Sequence, residues 1–192
     1  MPMTLFRLIA LCIALVFSAH TSAQTPQPIP IPAPPALGSE SYILLDFHSG
    51  RVLVDKQSDL RRDPASLTKV MTAFVVFSEL KAGNLALSDE VLVSEKAWRA
   101  PGSRMFIEVG DRVSVENLLR GMIIQSGNDA SVALAEHIAG TEETFAALMN
   151  QYAAELGMVN TQYTNAAGLP NSEHYSSAHD TARLVRALIV RF

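Results

Sequence analysis

The sequence predicts an α+β fold, and three observations point to it. Two strand-like runs open the folded part, helical periodicity dominates everything after them, and no internal repeat interrupts the order. With 48% hydrophobic and 18% charged residues among 192, the chain has the apolar content for one sizeable core, which sets aside disordered and fibrous classes.

Before the folded part, Met1 to Arg7 supplies a basic start and Leu8 to Phe17 an apolar run too short to span a bilayer. Thr21-Ser22-Ala23 then supplies small residues at a cleavage position. Residues 1–23 are expected to be a secretory signal peptide, with a retained membrane anchor as the alternative. Residues 24–38 carry Pro26, Pro28, Pro30, Pro32, Pro34 and Pro35, which cannot donate to a ladder and favour an extended polyproline spacer. Residues 39–192 are left as the folded domain.

Within it, Ser41 to Phe47 and Arg51 to Val54, joined through Gly50, read as a β-hairpin. After Asp63-Pro64-Ala65 the pattern turns helical from Ser66, with Val70, Phe74 and Phe77 on one face and a stop near Gly83-Asn84. Short strands are expected at Val91-Leu92-Val93 and Met105-Phe106-Ile107. Helices follow from about Val115 to Ile124, from Asp129 to Ala139 before Gly140, and from Thr141 to Leu156-Gly157. Residues 158–176 look irregular. A last helix begins at Ser177, with Asp180 placed as in a capping box. An isolated hairpin is only marginally stable, so the sheet is expected to need further strands.

The formal net charge is -4 and the basic residues are scattered, which argues against a nucleic-acid partner. The single cysteine, Cys12, lies in the expected signal segment. A mature chain without cysteine has no thiol nucleophile, no disulfide and no cysteine-ligated zinc. His174 and His179 are five apart, a poor spacing for shared helical metal ligands, and read as loop and cap residues. Trp98 with Arg99 reads as surface packing.

Ser66-Leu67-Thr68-Lys69 places a hydroxyl and an amine one helical turn apart on the same face. At a helix start the positive dipole end favours developing negative charge, and a partly desolvated lysine can accept the serine proton. A second such tetrad, Ser78-Glu79-Leu80-Lys81, sits at the helix end before Gly83, where the dipole has the opposite sign and favours a charged lysine. Taken alone, Ser66 is equally a helix cap before an ordinary amphipathic lysine. Gln125-Ser126-Gly127-Asn128 joins two helices, and Gly127 is expected to allow a sharp turn that presents the Ser126 hydroxyl and the Asn128 amide. Taken alone, that segment is also an ordinary turn with Asn128 as N-cap.

Three segments in order carry a family resemblance. They are Pro64-Ala65-Ser66-Leu67-Thr68-Lys69-Val70-Met71-Thr72, Ser126-Gly127-Asn128-Asp129-Ala130, and Thr164-Asn165-Ala166-Ala167-Gly168-Leu169-Pro170 with His174-Tyr175-Ser176. The chain resembles the low-molecular-mass penicillin-binding proteins, specifically the D-alanyl-D-alanine carboxypeptidases. The resemblance implies a β-lactamase/D,D-peptidase-like transpeptidase fold, an antiparallel sheet flanked by helices. It implies Ser66 as acylated nucleophile, Lys69 as general base, Ser126 as proton relay and Asn128 as substrate-supporting amide. Also implied are no cofactor and no metal, peptidoglycan stem peptides ending in D-Ala-D-Ala as substrate, β-lactams as covalent inhibitors, and an exported, periplasmic or extracytoplasmic location.

The family's third motif, Lys-Thr-Gly or a variant, does not occur, and Lys96 is the last lysine. By the resemblance, the C-terminal sheet strands are expected to be missing, so that residues 39–192 hold part of the catalytic domain. The family's membrane-surface helix is likewise not visible. A serine β-lactamase is disfavoured because residues 158–176 contain no Glu-x-x-x-Asn. A D,D-endopeptidase of peptide cross-links would use the same residues, and a non-catalytic wall-binding descendant remains the alternative of a different class.

Overall fold

The hairpin forms where the alternating apolar run predicts it: β1, Tyr42–Leu45, pairs antiparallel with β2, Val52–Lys56. The turn between them is tied by Asp46, whose carboxylate accepts the Ser49 N–H at 2.7 Å, while Gly50 supplies a left-handed residue at φ +71°. The structure, a computed structural model, describes Ala33 and residues 36–192. The expected signal peptide, Cys12 and nearly all of the proline-rich spacer lie outside the described residues.

A 3-10 turn over Ala65–Leu67 leads into α1, Thr68–Ala82, which ends at Gly83 in the left-handed region, φ +77°. α1 is apolar on most sides, the signature of a helix buried all round. Ala73 and Val76 join one apolar cluster with Leu118, Met122 and Leu134; Met71, Phe74 and Val75 join a second with Phe145, Met149 and Leu184. The helix bearing the Ser66 tetrad is therefore the spine between two halves of the core.

β3, Glu90–Leu92, pairs with β4, Arg112–Ser114, as a second two-stranded sheet, with a short helix α2, Glu95–Trp98, between them. α3, Val115–Gln125, and α4, Asn128–Ala139, follow, then α5, Glu142–Glu155, and α6, Ala178–Arg191. Ser94, Ser114, Thr141 and Ser177 each cap a helix by accepting an N–H three residues on. No helix among the described residues is long and apolar enough to cross a membrane.

Two local expectations change, and one strand, β4, is unforeseen. The run Met105-Phe106-Ile107 is not a strand, because the Asp129 carboxylate takes the N–H groups of Met105 at 3.0 Å and Phe106 at 2.9 Å that a ladder would need. The partner of β3 is instead β4, which the sequence pattern did not signal. Asp180 does not close the predicted capping box: Ser177 caps the helix, but the buried Asp180 carboxylate instead accepts the Asn160 N–H at 2.7 Å and the Thr161 hydroxyl at 2.8 Å.

Candidate active site

Ser66 lies in the exposed 3-10 turn, and Lys69 follows in the first turn of α1 with only 7% of its surface exposed. The turn is backed by residues 164–170, whose Gly168 adopts φ +84° and presses against the Ala65 carbonyl where a Cβ would collide. Ala65 itself sits at φ +46°, so the residue before the serine is held in a sparsely populated backbone region.

Lys69 Nζ is bound at three points. It donates to Asn128 Oδ1 at 2.7 Å and to the Ala167 carbonyl at 2.7 Å, and it faces Ser66 Oγ at 3.4 Å. No carboxylate opposes it, and burial alone pulls the ammonium down from 10.5 to about 8. The geometry of the neutral amine follows. Two acceptors take its two hydrogens, so the lone pair is left pointing at Ser66 Oγ, the remaining hydrogen-bonding neighbour among the described residues. The gap is slightly longer than the roughly 2.6–3.2 Å of a proton-transfer contact, as is usual before substrate tightens a site.

Ser126 reaches the same hydroxyl from the other side, its Oγ donating to Ser66 Oγ at 3.0 Å. Here the expected role of Gly127 changes. The left-handed residue that ends α3 is Ser126, φ +57°, whereas Gly127 has φ -59°. Gly127 is small for a different reason: a Cβ there would come within 3.0 Å of Asp129 Oδ1 and 3.2 Å of the Gly121 carbonyl. The turn's left-handed backbone strain is thus carried by Ser126 itself.

Asn128 is the first residue of α4 rather than its N-cap, and its amide is clamped at both ends. Oδ1 accepts from Lys69, and Nδ2 donates to the Pro101 carbonyl at 2.5 Å. That second bond fixes which end of the amide faces the lysine. The Asp129 staple on Met105 and Phe106, with the Asn128 N–H donating to Ser103 O at 2.7 Å, holds residues 101–107 against this joint. A cleft of about 300 Å³ opens beside the cluster, lined by Ser66, Lys69, Val70, Phe77, Met122 and Ser126.

The four residues singled out in the sequence therefore come together: Lys69 and Ser126 meet at the Ser66 hydroxyl, and Asn128 joins them through Lys69. The decoy tetrad does not: Ser78 Oγ donates back to the Phe74 carbonyl and Lys81 Nζ to the Arg191 carbonyl. His179 lies near Asp59 at 3.1 Å, and His174 is buried under the Ser66 turn. Unforeseen were the backbone acceptors: Ala167 O for Lys69, and Ala166 O, which accepts from Thr72 Oγ1 at 2.7 Å. Asn165-x-x-Gly168 signals a tight loop, but nothing in two alanines announces which carbonyl will be presented.

The D-alanyl-D-alanine carboxypeptidase family model matches residues 29–191. D-alanyl-D-alanine carboxypeptidase DacA of Escherichia coli K12 is 42% identical over 186 residues, 94% of this chain and 46% of that protein. DacF of Bacillus subtilis is 44% identical over 151 residues, 79% of this chain and 39% of that protein. Among solved structures, the D-alanyl-D-alanine carboxypeptidase DacD of Francisella tularensis superposes with a TM-score of 0.84 at 45% identity, covering 88% of this chain and 41% of its own. Penicillin binding protein 5 of Haemophilus influenzae superposes with a TM-score of 0.80 at 42% identity, covering 82% of this chain and 47% of its own. The chain spans about half the length of the curated relatives it matches. On the match over residues 29–191 and these identities, the chain belongs to the D-alanyl-D-alanine carboxypeptidase family.

Proposed function

We propose that this chain carries the acylating centre of a serine D,D-carboxypeptidase that removes the terminal D-Ala from peptidoglycan stem peptides and is acylated by β-lactams. The observation that supports it is the convergence of Lys69 Nζ and Ser126 Oγ on Ser66 Oγ, at 3.4 and 3.0 Å.

In the forward step the neutral Lys69 amine takes the Ser66 hydroxyl proton as Oγ attacks the carbonyl of the penultimate D-Ala. The C–N bond breaks, the departing amine receives a proton by way of Ser126, and the peptidyl group is left as an ester on Ser66. Water then attacks the ester, Lys69 accepts its proton, and Ser66 Oγ leaves as the alcohol. A β-lactam follows the same first step, but its leaving amine stays tethered in the adduct. Asn128 holds the base and stands where a substrate carbonyl can be supported.

Residues 1–23 act as the signal that exports the chain, residues 24–38 as a spacer and residues 39–192 as the part of the catalytic domain present here. The place of action is the periplasmic or extracytoplasmic face. The test is intact-protein mass spectrometry with a reporter penicillin. One penicilloyl adduct on Ser66, abolished in Ser66→Ala, is expected. No adduct at high penicillin concentration would overturn the reading.

A further inference from the structure

Between Tyr175 and the 3-10 turn lies a buried imidazole that the chemistry above does not use. His174 is 3% exposed. Its Nδ1 accepts the Thr164 backbone N–H at 3.0 Å, and a backbone N–H can only donate, so Nδ1 is the bare nitrogen. The proton is then on Nε2, which donates to Thr68 Oγ1 at 2.8 Å. One ring thus ties the start of α1 to the loop that begins at Thr164. Thr68 is the residue before Lys69. Thr164 opens the loop in which Asn165 Oδ1 accepts the N–H groups of Ala167 at 3.2 Å, Gly168 at 2.7 Å and Leu169 at 2.9 Å, setting the Ala167 carbonyl that binds Lys69.

We propose that His174 is a positioning residue for Lys69: as the neutral Nε2–H tautomer it locks the Ala167 carbonyl onto the amine, and its protonation releases that lock. A proton on Nδ1 would face the Thr164 N–H at 3.0 Å, donor against donor, and its nearest acceptor would be the Thr164 hydroxyl at 3.2 Å, so residues 164–168 would have to shift to form that bond. Lys69 would then lose one of the two acceptors that aim its lone pair at Ser66. The titratable groups facing His174 are Asp63 from the segment before the 3-10 turn, which favours the cation, and Tyr163, whose ring meets it edge-on at 5.7 Å. Lys69 stands one residue from Thr68 on α1. Burial outweighs Asp63 and holds the imidazole below its ordinary 6.5, so the lock is closed at neutral pH and opens on the acid side.

The acylation part of this inference rests on the function proposed above, so the experiment has two arms. In the first, long-range proton–nitrogen NMR of the full chain reads the His174 tautomer and titration midpoint, while the Lys69 ε-carbon resonance is followed in the same samples. The Nε2–H form and a step in the Lys69 signal at the His174 midpoint are expected; an Nδ1–H form, or a Lys69 signal blind to that midpoint, would sink the idea.

In the second, the reporter-penicillin acylation rate is measured against pH. Lys69 protonation alone lowers it about tenfold per pH unit below its midpoint. Below the His174 midpoint the fall should steepen to about a hundredfold per unit, since two protonations then each remove activity. His174→Asn keeps an acceptor for Thr164 without titrating and should restore the single slope; a wild type with one slope throughout, or a variant that keeps the break, overturns the proposal. If neither protein is acylated at any pH, the function proposed above fails while the NMR arm still decides the lock. If His174→Asn does not fold, His174→Gln, which keeps the donor to Thr68, takes its place.

Discussion

Lys69 Nζ stands 2.7 Å from Asn128 Oδ1 but 3.4 Å from Ser66 Oγ, so the amine proposed as base is held more firmly by the Asn128 amide than by the Ser66 hydroxyl. An amine whose position is set by groups that do not react keeps its aim while the serine moves through attack.

Replacing that amide with a carboxylate changes charge at nearly constant shape. In Asn128→Asp a carboxylate beside the amine favours the ammonium, opposing the burial that now lowers it. The new oxygen also faces the Pro101 carbonyl in place of an N–H donor. Stopped-flow acylation at pH 7 should fall by about 10- to 100-fold, with the loss shrinking as pH rises.

Burial of Lys69 should also register in stability. Its pKa is depressed in the fold, so between about 8 and 10.5 the unfolded chain binds more protons than the native one. Stability therefore increases with pH across that window, and the penalty is complete below it. The whole shift corresponds to about 3 kcal/mol, and we expect about 2 because the cleft beside Ser66 admits solvent. Urea unfolding of wild type against Lys69→Met at both ends of the window checks this. The difference should move toward the wild type at the alkaline end, and no movement would contradict a buried ammonium.

Asp129 is a staple whose loss should be felt away from its own helix. Asp129→Asn leaves the N–H groups of Met105 and Phe106 sharing one amide oxygen and facing an N–H₂ donor. A cost of about 2–4 kcal/mol is expected from one lost charge-assisted bond and one unmet buried donor. Hydrogen exchange should localise the loosening to residues 101–107.

Two glycines with the same backbone twist separate strain from space. Gly168 and Gly83 have φ +84° and +77°, but only Gly168 abuts another backbone, the Ala65 carbonyl, while nothing lies within 4 Å of a Cβ at Gly83. Gly83→Ala should cost about 1 kcal/mol from left-handed strain alone. Gly168→Ala should cost more than about 3 kcal/mol, because a backbone contact cannot rotate away, and should remove acylation. Equal costs in thermal unfolding would refute the packing contact.

What was legible in the sequence was what side chains announce. The spacing of Ser66 and Lys69 and the position of Ser78 before Gly83 separate tetrad from decoy by helix polarity, and the helices follow their caps. What escaped were relationships made by backbone or by distant side chains. Met105-Phe106-Ile107 has a strand's composition, yet its donors are claimed by a carboxylate more than twenty residues on. Gly127 invites the inference of a left-handed turn, yet Ser126 takes that conformation and Gly127 only makes room. Asp180 occupies a capping-box position, yet the loop at Asn160 and Thr161 competes for its oxygens and wins.

The bond from Lys69 to the Ala167 carbonyl spans 98 residues, and that between Ser126 and Ser66 spans 60. Closing such distances is entropically costly until much of the domain has already condensed, so these are among the slower contacts to form. A chain still being synthesised has its serine and lysine three residues apart in sequence, but no carbonyl to turn the amine toward the hydroxyl. On the proposed function, acylating reactivity is thereby tied to completion of these long-range contacts.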